Sequence, residues 1–201
     1  MGRGIEYDPA DLAALAEPLD LLASDARTVR MPNRIVYQPM EANDAEADGS
    51  PSDGTLLRYL ERANGHAGLD VFEAIAASEE GKARPRQLVL TDDTKAGFKN
   101  LIKRYRGANE ATPILFQLTH SGRFALTPVN PFPVPDGSAR LLTDDDARRI
   151  RDELIAATKL AMDVGADGID FKHCHGYVGG AFLSPANGPR DGWSYGGETL
   201  E

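Results

Sequence analysis

The stretch GADGIDFKHCHGY, residues 165–177, decides the fold class because it joins the end of a helix to a short apolar strand. Gly165 follows an amphipathic run, and glycine is the residue that most often ends a helix in the left-handed conformation. The next residues, Gly168 to Lys172, are rich in β-branched and aromatic side chains and too few for a buried helix. The sequence therefore predicts a helix that runs directly into a strand, which is the repeating step of a parallel β/α fold.

The helix before Gly165 has a predicted start as well as a predicted end. Thr143 is a suitable N-cap, and the aspartates at 144–146 complement the positive end of the helix. Apolar residues recur on one face from there to about Val164, namely Ile150, Leu154, Ala157, Leu160 and Ala161. We therefore expect a helix over residues 143–164.

The same alternation of strands and helices extends towards the N-terminus. Three further apolar runs predict strands at residues 34–38, 69–75 and 113–118. Between them, residues 51–63 and 94–106 carry apolar side chains at helical spacing. No internal repeat or linker divides the chain, so we expect one domain over residues 1–201 with the order β-α-β-α-β-α-β.

The turn after the first strand favours one kind of parallel fold over another. An open, doubly wound sheet that binds a nucleotide usually has a glycine-rich turn at this point. Here the turn reads Pro39-Met40-Glu41-Ala42-Asn43, and no G-x-G-x-x-G occurs anywhere in the chain. The sequence therefore favours a (β/α)8 barrel of the TIM type, of which only about the first four β/α units are present as a half-barrel.

Polar side chains collect at the carboxyl ends of the four predicted strands, where barrels place their functional groups. They are Gln38 and Glu41, Glu73, Gln117 and His120, and Lys172 and His175. One interpretation is a metal-dependent barrel hydrolase, in which His173 and His175 face the same way and His120 supplies a third ligand. No acidic residue follows at a spacing that completes such a site, so our prediction contains no metal.

Composition excludes several classes of function. The net charge of −9 over 201 residues, with basic residues at most in pairs, argues against a nucleic-acid partner. No apolar run approaches the roughly 20 residues that a membrane-spanning helix needs. The N-terminus lacks the pattern of a signal peptide, and the single Cys174 excludes an internal disulfide. We expect a cytoplasmic protein.

Taken in series, several segments resemble the Old Yellow Enzyme family, the NADH:flavin oxidoreductases. They are NRIVYQPM (33–40), Gly-Ser-Pro-Ser (49–52), LDVFEAIA (69–76), QLTHSGR (117–123), GADGIDFKHCHGY (165–177), FLSP (182–185) and YGGETLE (195–201). No single segment is diagnostic, but they occur in the family's order and cover nearly the whole chain. The resemblance implies an eight-stranded β/α barrel with FMN at its mouth. It also implies hydride transfer from NAD(P)H to the flavin and then to an activated small-molecule acceptor.

The resemblance also implies roles for individual residues. Pro39, Met40 and Glu41 would lie against the isoalloxazine ring, as would the backbone of Ala74, and Gln117 would hydrogen-bond the pyrimidine edge of FMN. The substrate-anchoring pair of the family falls on Lys172 and His175. Tyr177 matches the tyrosine that donates a proton to the substrate carbon that does not receive hydride.

Two of these residues depart from the family's common pattern. Lys172 stands where histidine is usual, which keeps a cation but as a longer and more mobile donor, and His173 is then expected to point away from the site. Glu41 stands where threonine or cysteine is common, and a carboxylate beside the flavin disfavours its electron-rich reduced form. We therefore expect Glu41 either to have a raised pKa or to bind a cation.

The family pattern continues beyond Glu201, so the resemblance implies a chain truncated at its C-terminus. The residues near flavin N1 and O2 and the phosphate site around strands seven and eight would belong to the absent part. The family activity therefore need not reside in this chain alone. An alternative hypothesis is a non-catalytic half-barrel that self-associates or pairs with a separate C-terminal half.

Overall fold

The computed structural model describes residues 8–22 and 28–197. The helices are α1 (Pro9–Ala16), α2 (Asp53–Asn64), α3 (Lys95–Ala108), α4 (Asp144–Val164) and α5 (Val178–Phe182). The strands are β1 (Leu19–Leu22), β2 (Thr28–Met31), β3 (Val36–Tyr37), β4 (Leu69–Ala76), β5 (Ile114–Thr119), β6 (Val129–Asn130), β7 (Arg140–Leu141) and β8 (Gly168–Phe171).

Four strands form one parallel sheet in the order β3-β4-β5-β8, with α2, α3 and α4 as the connections between them. This confirms the predicted succession of strands and helices. The pairing of β4 with β5 shifts register between Phe72 and Ile75, so that one extra residue of β4 is accommodated there. Glu73 and Ala74 lie in this irregular segment, close to the carboxyl end of the strand.

The core of the protein lies between one face of the sheet and the helices. Phe72 is the centre of this layer, because its ring stacks on Tyr59 of α2 at 3.9 Å and on Phe116 of β5 at 5.3 Å between centroids. The predicted apolar face of α3 is buried against the same layer and consists of Phe98, Leu101, Ile102 and Tyr105. Burial of such large aromatic side chains is the main source of stability in a fold of this kind.

The opposite face of the sheet, which is the inner face of a barrel, is covered at its amino-terminal end by the antiparallel β1–β2 hairpin. Met31 of β2 packs there against Leu69 and Val71 of β4. This hairpin was not predicted from the sequence. Its position leaves the carboxyl end of the inner face uncovered by these two strands.

Both ends of α4 follow the local signals in the sequence. The Thr143 side chain accepts a hydrogen bond from the Asp146 N–H while the Asp146 carboxylate accepts one from the Thr143 N–H, a capping box. Gly165 ends the helix with φ of 103°, in the left-handed region where glycine has no steric penalty. The chain then enters β8 within three residues, as predicted.

Within the described residues the sheet does not close on itself, and β3 and β8 are its two edge strands. This open arrangement of four parallel strands agrees with the predicted partial barrel. An apolar cavity of about 360 Å³ lies where the carboxyl ends of β5 and β8 meet α4 and α5, and its walls include Leu118, Ile150, Leu154, Phe171 and Phe182. Among the helices described, none is long and apolar enough to cross a bilayer.

Candidate active site at the carboxyl edge of the sheet

Glu41 and Lys172 form an ion pair across the mouth of the partial barrel. Glu41 lies in the loop after β3 and Lys172 directly after β8, and Lys172 Nζ donates to Glu41 Oε1 at 2.7 Å. The two side chains are only 12% and 5% exposed, respectively. The cation that we expected Glu41 to bind is therefore Lys172, and the two residues that depart from the common pattern contact each other.

Tyr177 also contacts the ammonium group of Lys172. Lys172 Nζ is 4.3 Å from the centroid of the Tyr177 ring, within the range of a cation–π interaction. Tyr177 is buried and immediately precedes α5, and the rings of Phe124 and His175 lie 6.0 Å and 6.4 Å from its own. The ammonium group of Lys172 thus contacts both a carboxylate and an aromatic ring.

A buried carboxylate holds the loop that carries Glu41. Glu73, at the irregular end of β4, accepts hydrogen bonds from the Ala42 N–H at 3.1 Å and from Arg58 of α2 at 2.5 Å. Burial raises the pKa of Glu73, although Arg58 and the Ala42 N–H act in the opposite direction. Arg58 also binds Asp44, two hydrogen bonds running to its two oxygens. These contacts fix the part of the loop that follows Glu41.

Gln117 points to the inner face of the sheet, as its strand position predicts. Its Nε2 donates to Asp170 Oδ2 at 2.6 Å, in the neighbouring strand β8. Within the described residues the Gln117 Oε1 accepts no hydrogen bond. Asp170 therefore determines which way the amide group of Gln117 is turned, and leaves its carbonyl oxygen available.

The remaining residues of the predicted cofactor surface differ in accessibility. Met40 is 71% exposed and Pro39 is half-buried, so the loop after β3 presents an apolar surface at the mouth. Ala74 is fully buried, and its carbonyl oxygen accepts a hydrogen bond from Gln87 Nε2 at 2.8 Å. Of these three residues, Met40 is the one most open to a ligand.

The three histidines of the metal hypothesis do not come together. His120 is buried and its Nδ1 accepts from the Gly122 N–H at 3.1 Å, and burial lowers its pKa. His173 is turned towards the short helix α5, where a Cβ on Gly179 would lie 2.9 Å from its ring. His175 is exposed, with φ of 60°. Across residues 8–22 and 28–197 no group of three His, Cys, Asp or Glu side chains is placed to hold a metal ion.

Three residues that contact the candidate site were not predicted from the sequence. Arg84 lies with its Nε 3.7 Å from Glu41 Oε2, while Asp170 orients Gln117 and Phe124 flanks Tyr177. A signal existed for Asp170, because it lies two residues before Lys172 and therefore on the same side of the strand. Arg84 lies in a loop and Phe124 in a single 3-10 turn (Gly122–Phe124), where no periodicity in the sequence indicates direction.

The sequence matches the profile of one protein family and is similar to individual known proteins. The profile of the NADH:flavin oxidoreductase / NADH oxidase family matches residues 17–199, of which 23–27, 198 and 199 lie outside the described residues, as does the end of the YGGETLE segment. The chain is 35% identical over 171 residues to an NADH oxidase of Thermoanaerobacter brockii, covering 79% of this chain and 26% of that protein. It is 33% identical over 182 residues to an NADPH dehydrogenase of Listeria innocua, covering 85% of this chain and 52% of that protein.

Solved structures with low sequence identity share the fold. The chain superposes on an Old Yellow Enzyme from Pichia sp. AKU4542 with a TM-score of 0.80 at 21% identity, covering 92% of this chain and 52% of that one. For morphinone reductase the TM-score is 0.78 at 23% identity, covering 92% of this chain and 54% of that one. The chain thus spans about half the length of the NADPH dehydrogenases and of the barrel structures that it matches.

Proposed function

The chain belongs to the NADH:flavin oxidoreductase / NADH oxidase family, the Old Yellow Enzyme family, and we propose that it serves FMN-dependent oxidoreduction with NAD(P)H as the electron donor. The acceptor in this proposal is a small molecule with an activated alkene or a similar group. The observation that carries the proposal is the meeting of Lys172, Tyr177 and Glu41 at the carboxyl edge of the sheet, on the same inner side as Gln117.

The donor set at this edge fits the flavin ring. The pyrimidine edge of an isoalloxazine alternates hydrogen-bond acceptors and a donor, and an amide offers both kinds of group. Gln117 would hold that edge, because its Oε1 has no other hydrogen bond among the described residues and Asp170 fixes the amide. Pro39 and Met40 would lie against the ring and Ala74 would approach it by its backbone. Bound FMN would supply the hydride-transferring ring, which no amino-acid side chain can replace.

Lys172, His175 and Tyr177 would act on the acceptor. A donor that hydrogen-bonds the acceptor's carbonyl oxygen stabilises the negative charge that hydride addition creates there. Lys172 would supply this donor together with the exposed imidazole of His175. Tyr177 would give its phenolic proton to the carbon that does not receive hydride, and its ring is already held by Lys172 and Phe124.

Titration of the purified chain with FMN tests the cofactor. We expect the flavin absorbance bands to shift on binding, and Gln117→Leu to weaken binding by about tenfold because one or two hydrogen bonds are lost. Gln38→Leu removes an amide from the mouth loop that the proposal does not assign to FMN, and it should leave the affinity unchanged. Equal effects of the two substitutions, or no binding by the wild-type chain, would contradict the proposal for this chain.

A second proposal concerns assembly, and the exposed edge of β8 favours it. The outer edge of this strand is unpaired within the described residues, and Phe171 beside the 360 Å³ cavity is 42% exposed. Unpaired parallel edges next to apolar surface favour association. We therefore expect the purified chain to self-associate or to bind a complementary β/α segment. Sedimentation of the wild type and of Phe171→Lys tests this, and a monomeric wild type at high concentration would contradict self-association.

A further inference from the structure

Lys172 combines three properties that are unusual for a lysine. Its side chain is only 5% exposed, although it lies at the mouth of a partial barrel and in the wall of the cavity beside β8. Its Nζ is hydrogen-bonded to a carboxylate at 2.7 Å. The face of the Tyr177 ring is 4.3 Å away. The primary amine of Lys172 is therefore in contact with a proton acceptor, Glu41, and with an aromatic face that stabilises cations, Tyr177.

We propose that Lys172 is a nucleophile that forms an imine with aldehydes or ketones, with Glu41 as its acid–base partner. Lysine amines in desolvated surroundings are the groups that proteins use for this chemistry. Histidine, the residue that the family resemblance leads one to expect here, has no primary amine and forms no imine with a carbonyl compound. With lysine in place of histidine, the side chain at this position can therefore form a covalent bond to a carbonyl compound as well as donate a hydrogen bond to it.

The geometry provides a route for each proton. Glu41 Oε1 takes one proton from the ammonium group across the 2.7 Å hydrogen bond, and the neutral amine attacks the carbonyl carbon. The new C–N bond forms, a second proton moves from nitrogen to the former carbonyl oxygen, and Glu41 returns the first proton so that water leaves. Ammonium and carbonyl compound thus become a protonated imine and water, with atoms and charge conserved and no oxidant or reductant consumed.

The product keeps its positive charge at the place where the structure stabilises a cation. The protonated imine nitrogen remains beside the Glu41 carboxylate and over the Tyr177 ring, which replace the contacts of the original ammonium group. A protonated imine attracts electrons more strongly than its parent carbonyl. In a conjugated acceptor, this would make the distant alkene carbon a better hydride acceptor. That consequence rests on the proposed function, whereas imine formation itself does not require the cofactor.

Reductive trapping tests the imine without FMN or NAD(P)H. The chain is incubated with cinnamaldehyde and sodium cyanoborohydride, which reduces protonated imines, and the modified lysines are quantified by peptide mass spectrometry. Unselective labelling follows exposure, so exposed Lys103 on α3 serves as the internal reference. We expect Lys172 to be labelled faster than Lys103 despite its burial. Equal or slower labelling of Lys172 would overturn the proposal, and this comparison needs no variant.

Variants separate the amine from its partner. Glu41→Gln keeps the shape of the side chain but cannot take the proton, so we expect labelling of Lys172 to slow by about a hundredfold while Lys103 is unaffected. Glu41→Asp should restore part of the rate. Unchanged labelling in Glu41→Gln would overturn the role of Glu41, and a lack of FMN binding by the chain would leave these results intact while rejecting the flavin function.

Discussion

Replacing Asp70 with asparagine should remove one pH-dependent contribution to the stability of the fold. Asp70 is in β4, and its carboxylate is completely buried between Arg62 of α2, at 2.6 Å, and the hydroxyl of Tyr105 of α3, at 3.0 Å. Burial raises the pKa of Asp70 to about 6 although Arg62 and Tyr105 both lower it. Desolvation of the charge therefore outweighs the ion pair at this position.

The size of the effect follows from the two pKa values. The ordinary pKa of this carboxyl is 3.8 and the folded one is about 6, so the folded protein binds the proton more tightly than the unfolded chain. The stabilisation that this carboxyl contributes is therefore fully present below its ordinary pKa of 3.8 and is lost as the pH rises through its folded pKa of about 6. A gap of about two units corresponds to about 3 kcal/mol, of which about 2 kcal/mol is lost between about pH 4 and pH 7.5.

Urea unfolding of wild type and Asp70→Asn across this pH range measures the prediction. The difference in unfolding free energy should shift by about 2 kcal/mol in favour of the variant as the pH rises. A constant offset is also expected because Arg62 loses its counter-charge, but it does not vary with pH. The matched control is Asp92→Asn, which removes an exposed carboxylate, and its difference from wild type should not show this shift.

A flat difference between wild type and Asp70→Asn over the whole range would refute the reasoning. It would mean that Arg62 compensates the desolvation of the carboxylate completely, so that Asp70 ionises at the same pH in the folded and the unfolded chain. Tyr105→Phe distinguishes the causes, because loss of its hydrogen bond to the carboxylate should raise the pKa of Asp70 further.

Three other substitutions test the fold and the site. For His120→Gln, the wild type should lose stability relative to the variant as the pH falls below 6.5, because burial lowers the pKa of this histidine. Urea unfolding measures this, and the same difference in unfolding free energy between wild type and variant at pH 5 and pH 7.5 would contradict it. Gly49→Ala should destabilise by about 2–4 kcal/mol, since φ is 85° and the new Cβ would lie 2.6 Å from Val89; a loss below about 1 kcal/mol would show that the loop relaxes. Thr143→Ala should lower the unfolding free energy by about 1 kcal/mol through loss of the α4 cap, whereas the matched Thr158→Ala within the same helix should change it much less; equal losses would show that the cap adds nothing.

Elements with strong local signals were predictable from the sequence. The helix α4 has a cap, an apolar face and a terminal glycine within its own residues, and its predicted bounds agree with Asp144–Val164 to within one residue at the start. The hairpin of β1 and β2 has no comparable signal. It depends on Met31 packing against Leu69 and Val71, which are distant in the chain, and such a contact is visible only once the sheet exists.

The position of the candidate residues at the carboxyl edge of the sheet was predictable from the sequence, and the contacts between them were less so. Alternation along β8 correctly indicated that Lys172 and His173 point in different directions. His120 lies at the carboxyl end of β5 as predicted, but its Nδ1 accepts a hydrogen bond from the Gly122 N–H in a turn where Gly122 has φ of 60°, a contact that the sequence did not indicate. The partner of Glu41 lies 131 residues away, so no local pattern identifies it.

The contact between Glu41 and Lys172 changes how the two departures from the family pattern are interpreted. Without Glu41, Lys172 would be a nearly buried charge at the mouth without a carboxylate partner, and Glu41 without Lys172 would keep only the more distant Arg84 at 3.7 Å; leaving a buried charge unpaired is strongly destabilising. Together they are neutral, and Glu73 holds the Glu41 loop in the position that allows their contact. They therefore act as one feature, and the role that the family assigns to either position cannot be transferred to this chain without the other residue.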